Sequence, residues 1–219
     1  QYALIAIGYT LVYGILRLIN FAHGDVFMVA GLIMVYTTAS MPMYIAIPLV
    51  LLCTVVLGFA IERAAYKPLR TAPRMSLMIS AIGVSYLIQN VAFYITGGLA
   101  QPVKKPIPWI SDSIMLFGES TKRVTVVTPI LTIALVFVLV ALIKKTKIGM
   151  GMRAAAKDFE TAQLMGVKIN SVISMTFVIG SFLAAVGAML YFTNYPTVGI
   201  SSGGMPGLKA FVAAVFGGI

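Results

Sequence analysis

The sequence predicts an all-α fold, a polytopic transmembrane helical bundle of about five to seven membrane segments, with one discontinuous helix if Asn20–Asp25 lies inside the membrane. Three observations predict it. Of 219 residues, 60% are hydrophobic and 10% charged, with a mean hydropathy of +0.99; soluble domains sit nearer about half apolar and about a quarter charged. Four runs carry no charge: Val26–Ile61 with 36 residues, Met75–Val103 with 29, Val124–Ile143 with 20 and Ile169–Leu208 with 40. A helix rising about 1.5 Å per residue crosses about 30 Å of hydrocarbon in roughly 20 residues, so the two longest runs each have room for two crossings. Finally, the basic residues cluster in short connections, the distribution of a positive-inside membrane protein. Strands of a porin-like barrel would alternate apolar and polar residues, whereas these runs are apolar all round.

Several function classes fall away at once. The formal net charge of +10 does not form the basic face of a soluble nucleic-acid-binding module. A single cysteine, Cys53, and a single histidine, His23, leave no disulfide framework and too few ligands for a metal cluster. The glycine-rich stretch Gly203-Gly204-Met205-Pro206-Gly207-Leu208-Lys209 lacks the spacing and the hydroxyl of a phosphate loop. Any nucleotide that drives the protein is expected on another chain.

The first element is an apolar stretch that opens at Gln1 without an initiator Met, and Gly217-Gly218-Ile219 closes inside another. The expectation is a single membrane domain over 1–219, truncated at both ends. Next comes Asn20-Phe21-Ala22-His23-Gly24-Asp25, then Val26–Ser40, whose 15 residues barely span. A turn at Met41-Pro42-Met43 leads into Tyr44–Ile61. Glu62–Arg74 carries four Lys or Arg and Lys144–Lys168 carries six, so both are expected on the cytoplasmic side. Parity then puts 97–123 outside, where Pro102, Pro106, Pro108 and Trp109 suit a structured surface loop with a short hairpin around Ile114–Val127.

Four constellations stand out. Asn20–Asp25 either breaks a helix inside the membrane, pointing polar groups at a solute, or forms a surface turn with Asp25 as N-cap of the next helix. An ionised Asp near mid-bilayer costs roughly 2.5–3.5 kcal/mol, so it would face a cavity or a partner. Between Arg153 and Gly166, the stripe of Ala155, Phe159, Ala162 and Met165 predicts one amphipathic helix stopped by Gly166, its apolar side meeting lipid, the bundle or another protein. On Met75–Tyr94, the residues Ser76, Ser80, Gly83, Asn90 and Tyr94 share one direction, lining a path or packing on a neighbour. On Val172–Thr193, Gly180, Ala184 and Ala188 with Ser181 and Ala185 form a small-residue ridge for close helix packing. The 13 methionines read as core filler, Cys53 as an inert thiol, and no residue calls for catalysis.

The stretches Ala3–Gly14 and Ile19-Asn20-Phe21-Ala22-His23-Gly24-Asp25, then Glu62–Arg70, Leu77–Asn90, Arg153–Gly166, Thr176–Gly180 and Lys209–Ile219, resemble in colinear order the branched-chain amino acid ABC transporter permeases of the LivH type. That family's cytoplasmic coupling motif, E-A-A-x-x-x-G, reads here Glu160-Thr161-Ala162-Gln163-Leu164-Met165-Gly166, with Thr161 at the second position. Family members often carry Glu where this chain has Asp25. The resemblance implies a bacterial inner-membrane, multi-pass permease subunit of an ATP-binding cassette importer, with loop 144–171 as the cytoplasmic coupling loop and 97–123 as a periplasmic loop. It further implies a substrate path at Asn20, His23, Gly24 and Asp25, with Ser80, Gly83 and Asn90 facing it, and ATPase coupling through Arg153, Ala155, Phe159, Glu160, Ala162 and Gly166. Polar groups such as Asn20, Ser80 or Asn90 would take the zwitterionic ends of a hydrophobic amino acid. The implied partners are a second related permease, two ABC ATPase subunits that hold ATP and Mg, a periplasmic amino-acid-binding protein and membrane lipid, with no cofactor on this chain. A urea or short-amide permease is the nearest alternative; an ATP-independent channel or secondary carrier is the alternative of another class.

Overall fold

Small residues recur along one helix, and the bundle is arranged around it. A computed structural model describes residues 1–16, 20–70, 72–104, 107–116 and 119–217. The central helix is α9 (Ile169–Asn194), on which Gly180, Ser181, Ala184, Ala185 and Ala188 are all buried. Helices α1 (Tyr2–Leu16), α2 (His23–Ser40) and α3 (Met43–Ile61) pack on it. The approaches are too close for larger side chains: a Cβ at Gly58 of α3 would strike Ser181, and one at Gly31 of α2 would collide with the Phe192 ring of α9. Without a hydrophobic force between helices in lipid, such close packing is what holds a membrane bundle together.

Outside this core run α4 (Arg74–Thr96) and α6 (Arg123–Lys145), both showing large apolar side chains on their outer surfaces. Among the described residues, four helical stretches are long and apolar enough to cross a membrane: Met43–Tyr66, Met75–Thr96, Arg123–Lys145 and Ile169–Asn194. Two shorter apolar helices, Tyr2–Ile15 and Ile200–Phe216, accompany them, so the chain is a multi-pass membrane protein.

At the end of the bundle away from the basic loops, β1 (Gln101–Pro102) pairs antiparallel with β4 (Thr197–Val198), Gln101 opposite Val198. The Val103 amide donates to the Pro196 carbonyl at 3.0 Å, and Lys122 Nζ donates to the Asn194 carbonyl at 2.9 Å. A single turn, α5 (Pro108–Ser111), leads to the hairpin of β2 (Ser113–Leu116) and β3 (Glu119–Lys122). The hairpin expected over Ile114–Val127 is therefore shorter. The Arg123 amide donates to the Asp112 carbonyl at 2.9 Å, closing the hairpin where the apolar run of α6 takes the chain over. Ile19, Lys105, Pro106, Gly218 and Ile219 lie outside the described residues, as does the side chain of Trp109.

The amphipathic helix expected between Arg153 and Gly166 is two helices, α7 (Lys147–Lys157) and α8 (Phe159–Leu164). Asp158 breaks it. Its backbone is extended, with φ −153° and ψ 118°, and its carboxylate accepts from the amides of Glu160 at 2.9 Å and Thr161 at 3.3 Å. A capped new helix start is favoured over continuation because it satisfies amides that would otherwise be orphaned. The remaining elements are a 3-10 turn, Ile200–Ser202, and α10 (Gly204–Phe216).

Candidate functional site

Of the six residues Asn20–Asp25 all but Phe21 are buried, and the side chains of Asn20, His23 and Asp25 go to different neighbours. Asn20 Oδ1 accepts from the Ala22 amide at 3.1 Å and from the Tyr66 hydroxyl at 2.8 Å, fixing the turn that starts α2. His23 points into the junction of α1 and α9. Its ring lies 4.7 Å from that of Tyr9, and a Cβ on Gly8 would collide with its Nε2. Gly180, which also approaches the imidazole, is near the middle of α9, so α2 begins part-way through the depth of the bundle. Gly24 permits backbone contact with α10, since a Cβ there would lie 2.7 Å from the Gly203 carbonyl oxygen.

Asp25 turns away from His23. It does not cap α2, whose N-cap is Ala22 without a side-chain hydrogen bond; the surface-turn alternative is overturned because the carboxylate is engaged by α4. One oxygen accepts from Ser85 Oγ and the other from Gln89 Nε2 at 3.0 Å, while Gln89 Nε2 also lies 3.2 Å from Ser85 Oγ. The carboxylate is 3% exposed and forms part of the wall of a cavity of about 290 Å³ between α2, α4 and α10. Ser85 and Gln89 are among its polar lining residues, and Phe21, Ile82, Leu208 and Phe211 among its apolar ones. A wider cavity of about 590 Å³, reaching Gly98, Ala100 and Ser201 at the end away from the basic loops, shares Gln89, Gly204 and Leu208 with it.

Of the path residues expected from sequence, Gly24 and Asp25 line the smaller cavity, while Asn20 and His23 are next to it in the chain but face elsewhere. Ser80, Gly83 and Asn90 are not in its wall. Ser80 Oγ donates to the Ala65 carbonyl at 3.3 Å, Gly83 is exposed with open space around it, and Asn90 Nδ2 donates within its own helix to the Tyr86 carbonyl at 2.8 Å. The cavity face of α4 is instead Ile82, Ser85, Tyr86 and Gln89, one helical face at i, i+3, i+4 and i+7.

A second buried carboxylate sits where α3 ends. There the helix widens into a π-helical turn, Glu62–Tyr66, with the Lys67 amide donating to the Glu62 carbonyl at 2.9 Å. Glu62 is 0% exposed. It pairs with Arg70 and accepts from Ser174 Oγ at 2.8 Å, and Arg70 also donates to Asn170. The cluster binds the basic connection after α3 to the first turns of α9.

The comparisons with known proteins agree with this architecture. Residues 1–219 match the family model described as branched-chain amino acid transport system / permease component. The chain belongs to this family. It is 40% identical to the high-affinity branched-chain amino acid transport system permease protein BraD of Pseudomonas aeruginosa, over all of this chain and 75% of that protein. It is 36% identical to the protein of the same description, LivH, of Escherichia coli K12, again over all of this chain and 75% of the relative. A probable branched-chain amino acid transport permease protein LivH of Methanocaldococcus jannaschii is 26% identical over 99% of the chain and 70% of the relative. No solved structure matches. These relatives are transport permease components, not enzymes.

In this permease the residues resembling the coupling motif form a small platform. Ala155 and Ala162 are buried, Phe159 is half-buried, and Arg153, Glu160 and Gly166 are exposed. Ala155 and Met152 of α7 pack with Ile15 of α1 and Val172 of α9. Gly166 adopts φ +84° just past α8, a conformation open to glycine at low cost. Met165, expected on the buried stripe, is 80% exposed and Leu164 86%; α8 ends at Leu164, so Met165 lies past the helix that keeps Phe159 and Ala162 on the stripe.

Sequence reasoning missed Ser85, Gln89 and the Glu62 cluster. The signal for the first pair was present: a Ser and a Gln four residues apart in an apolar span share a face, and such groups in a membrane need a partner. For Glu62 and Arg70 no local signal exists, because a basic loop beside a membrane reads as solvated.

Proposed function

We propose that this permease is the membrane subunit of an ABC importer that moves branched-chain amino acids across a bacterial inner membrane. The observation that carries the proposal is the match to the permease family over the whole chain, joined to a small cavity between α2, α4 and α10 lined by both polar and apolar side chains. Ligand pockets run from about 300 to 1,000 Å³, and about 290 Å³ suits a solute the size of one amino acid. Gly24 and Asp25 line the route, with the wider cavity as its outer vestibule. Leu, Ile and Val side chains need no hydrogen bonds and fit the wall of Phe21, Ile82, Leu208 and Phe211.

In this reading 97–123 is periplasmic and meets an amino-acid-binding protein, and 144–171 is cytoplasmic. Arg153, Glu160 and the exposed Leu164 and Met165 beside Gly166 dock into one of two ATPase subunits, which bind ATP and Mg, while Ala155, Phe159 and Ala162 anchor the platform. Because α7 packs on both α1 and α9, a push on α8 moves the core helices as a body, shifting the bundle between outward-open and inward-open packings. A second, related permease completes the route.

The test is uptake by liposomes containing the complete complex, with the binding protein outside and ATP inside. Labelled leucine should accumulate only with both present. Uptake of urea without leucine would assign the alternative solute, and leucine entry without ATP would make the chain a channel or carrier. Charge reversal at Glu160 with deletion of Leu164–Gly166 should abolish ATPase association; retained association and uptake would remove the coupling role.

A further inference from the structure

We infer that the Asp25 carboxylate, presented by Ser85 and Gln89, receives the α-ammonium group of the transported solute, so that the route requires a primary amine. This rests on the transport function proposed above and names what its cavity recognises.

Among the described residues, the groups that face Asp25 are all neutral. From α1 comes Tyr9, from α4 Ser85 and Gln89, and from α10 the backbone of Gly203, Gly204 and Gly207. His23, two residues earlier, is packed against Gly8 and Gly180. Among the described residues no Lys or Arg pairs with Asp25, and the ion pairs present are Glu62–Arg70 and Asp112–Arg123. A carboxylate has about four acceptor positions, and Ser85 and Gln89 occupy one on each oxygen. Each oxygen therefore keeps an acceptor position at the cavity wall.

A carboxylate in a membrane bundle normally faces a partner or a water-filled path. Among the described residues, the bundle supplies hydrogen bonds but no countercharge. An ammonium group has three donors and the missing charge, and hydrogen bonds between charged groups are about twice as strong as neutral ones. The apolar residues Phe21, Ile82, Leu208 and Phe211 line the same 290 Å³ cavity, so an amine held at Asp25 leaves its hydrocarbon against them. Gln89 borders both cavities and bonds to Asp25, placing the recognition step at the neck between vestibule and inner cavity.

The experiment uses the complete complex in lipid nanodiscs with Cys53→Ala and Tyr86→Cys, the latter placing a thiol in the cavity wall. Modification by a cationic aminoethyl methanethiosulfonate is timed against the anionic sulfonatoethyl reagent, both referenced to free cysteine. The cationic reagent should be preferred at least about tenfold, the factor for one hydrogen bond to a charged group. Leucine should slow it, and isocaproate, which is leucine without its amino group, should not. Asp25→Asn should erase the preference, and Asp25→Glu, which keeps the charge, should retain it. Equal protection by isocaproate, measured with Asp25 intact and so independent of how the Asn variant folds, overturns the inference, as does a preference that survives Asp25→Asn. If liposomes take up leucine with ATP while Asp25→Asn does so within twofold of the parent, only the ammonium assignment fails. If the parent complex takes up no leucine, the transport proposal fails instead.

Discussion

Asp25 and Glu62 are both carboxylates buried in the same bundle, and they are provided for in opposite ways. Glu62 has its own cation in Arg70, a hydroxyl donor in Ser174, and a further anchor where Arg70 reaches Asn170. Asp25 has a hydroxyl and an amide donor and borders a cavity. The first arrangement is closed: charge and hydrogen bonds balance within the protein, and what they hold is the junction of α3, its following loop and α9. The second is open, with the balance left to whatever enters. Burial alone therefore does not separate structural from functional acids in a membrane protein; the source of the countercharge does.

Breaking the closed cluster should have the largest effect. Arg70→Ala leaves a fully buried Glu62 without its cation, and removing one partner of a buried pair costs about 3–5 kcal/mol. The expected result is a sharply lower melting temperature of the detergent-solubilised protein and poor recovery of folded material. The double variant Glu62→Leu with Arg70→Met should recover part of that loss, since neither charge is then stranded. Next in size is Gly203→Ala. Its Cβ would run into the Gly24 carbonyl, and because backbone rather than a flexible side chain is in the way, α10 must move off α2 at about 1–3 kcal/mol. Unlike Arg70→Ala, this change should deform the cavity beside Asp25, so leucine uptake should fall further than the loss of folded protein explains.

How much of this was legible in the sequence follows the same division. The membrane bundle, the packing ridge on α9 and the polar break before α2 are local patterns of period or composition, and they were readable because lipid imposes simple rules on length and polarity. Asp25 was visible as a charge in an apolar setting. Its partners were not, because the stripe through Ser80, Gly83 and Asn90 is only one of several faces of α4, and tertiary packing chose the face with Ser85 and Gln89. The Glu62 cluster joins residues 112 positions apart, and no periodicity spans that distance. The break at Asp158 was hidden for a different reason: the helical stripe runs through it, and a capping carboxylate outweighed the stripe.

A smaller effect is expected at the link between the two regions. Tyr66 ends the π-helical turn that begins at Glu62, and its hydroxyl donates to Asn20 at 2.8 Å. Tyr66→Phe removes one buried hydrogen bond, and Asn20 Oδ1 keeps the Ala22 amide as a donor, so the cost should be about 0.5–1.5 kcal/mol. A transport defect larger than this loss, measured as uptake per folded complex, would show that the turn at Asn20 must be held by the Glu62 region for the cavity to work.

The smallest effect on stability should come from the change that removes a charge outright. Asp25→Asn keeps the shape and an acceptor for Ser85 or Gln89, and its amide nitrogen can donate back to the Ser85 oxygen after a small rotation. Because no cation among the described residues pairs with Asp25, the stability change should stay within about 1 kcal/mol, and its sign should favour the variant, since burying a neutral amide costs less than burying an unpaired carboxylate. The matched change Glu62→Gln strands Arg70 and should lower stability clearly. Melting both variants side by side puts the comparison at its sharpest: equal losses would mean that Asp25 has an internal countercharge after all, whereas a loss at Glu62 alone would show that one buried acid supports the bundle and the other is kept for its solute.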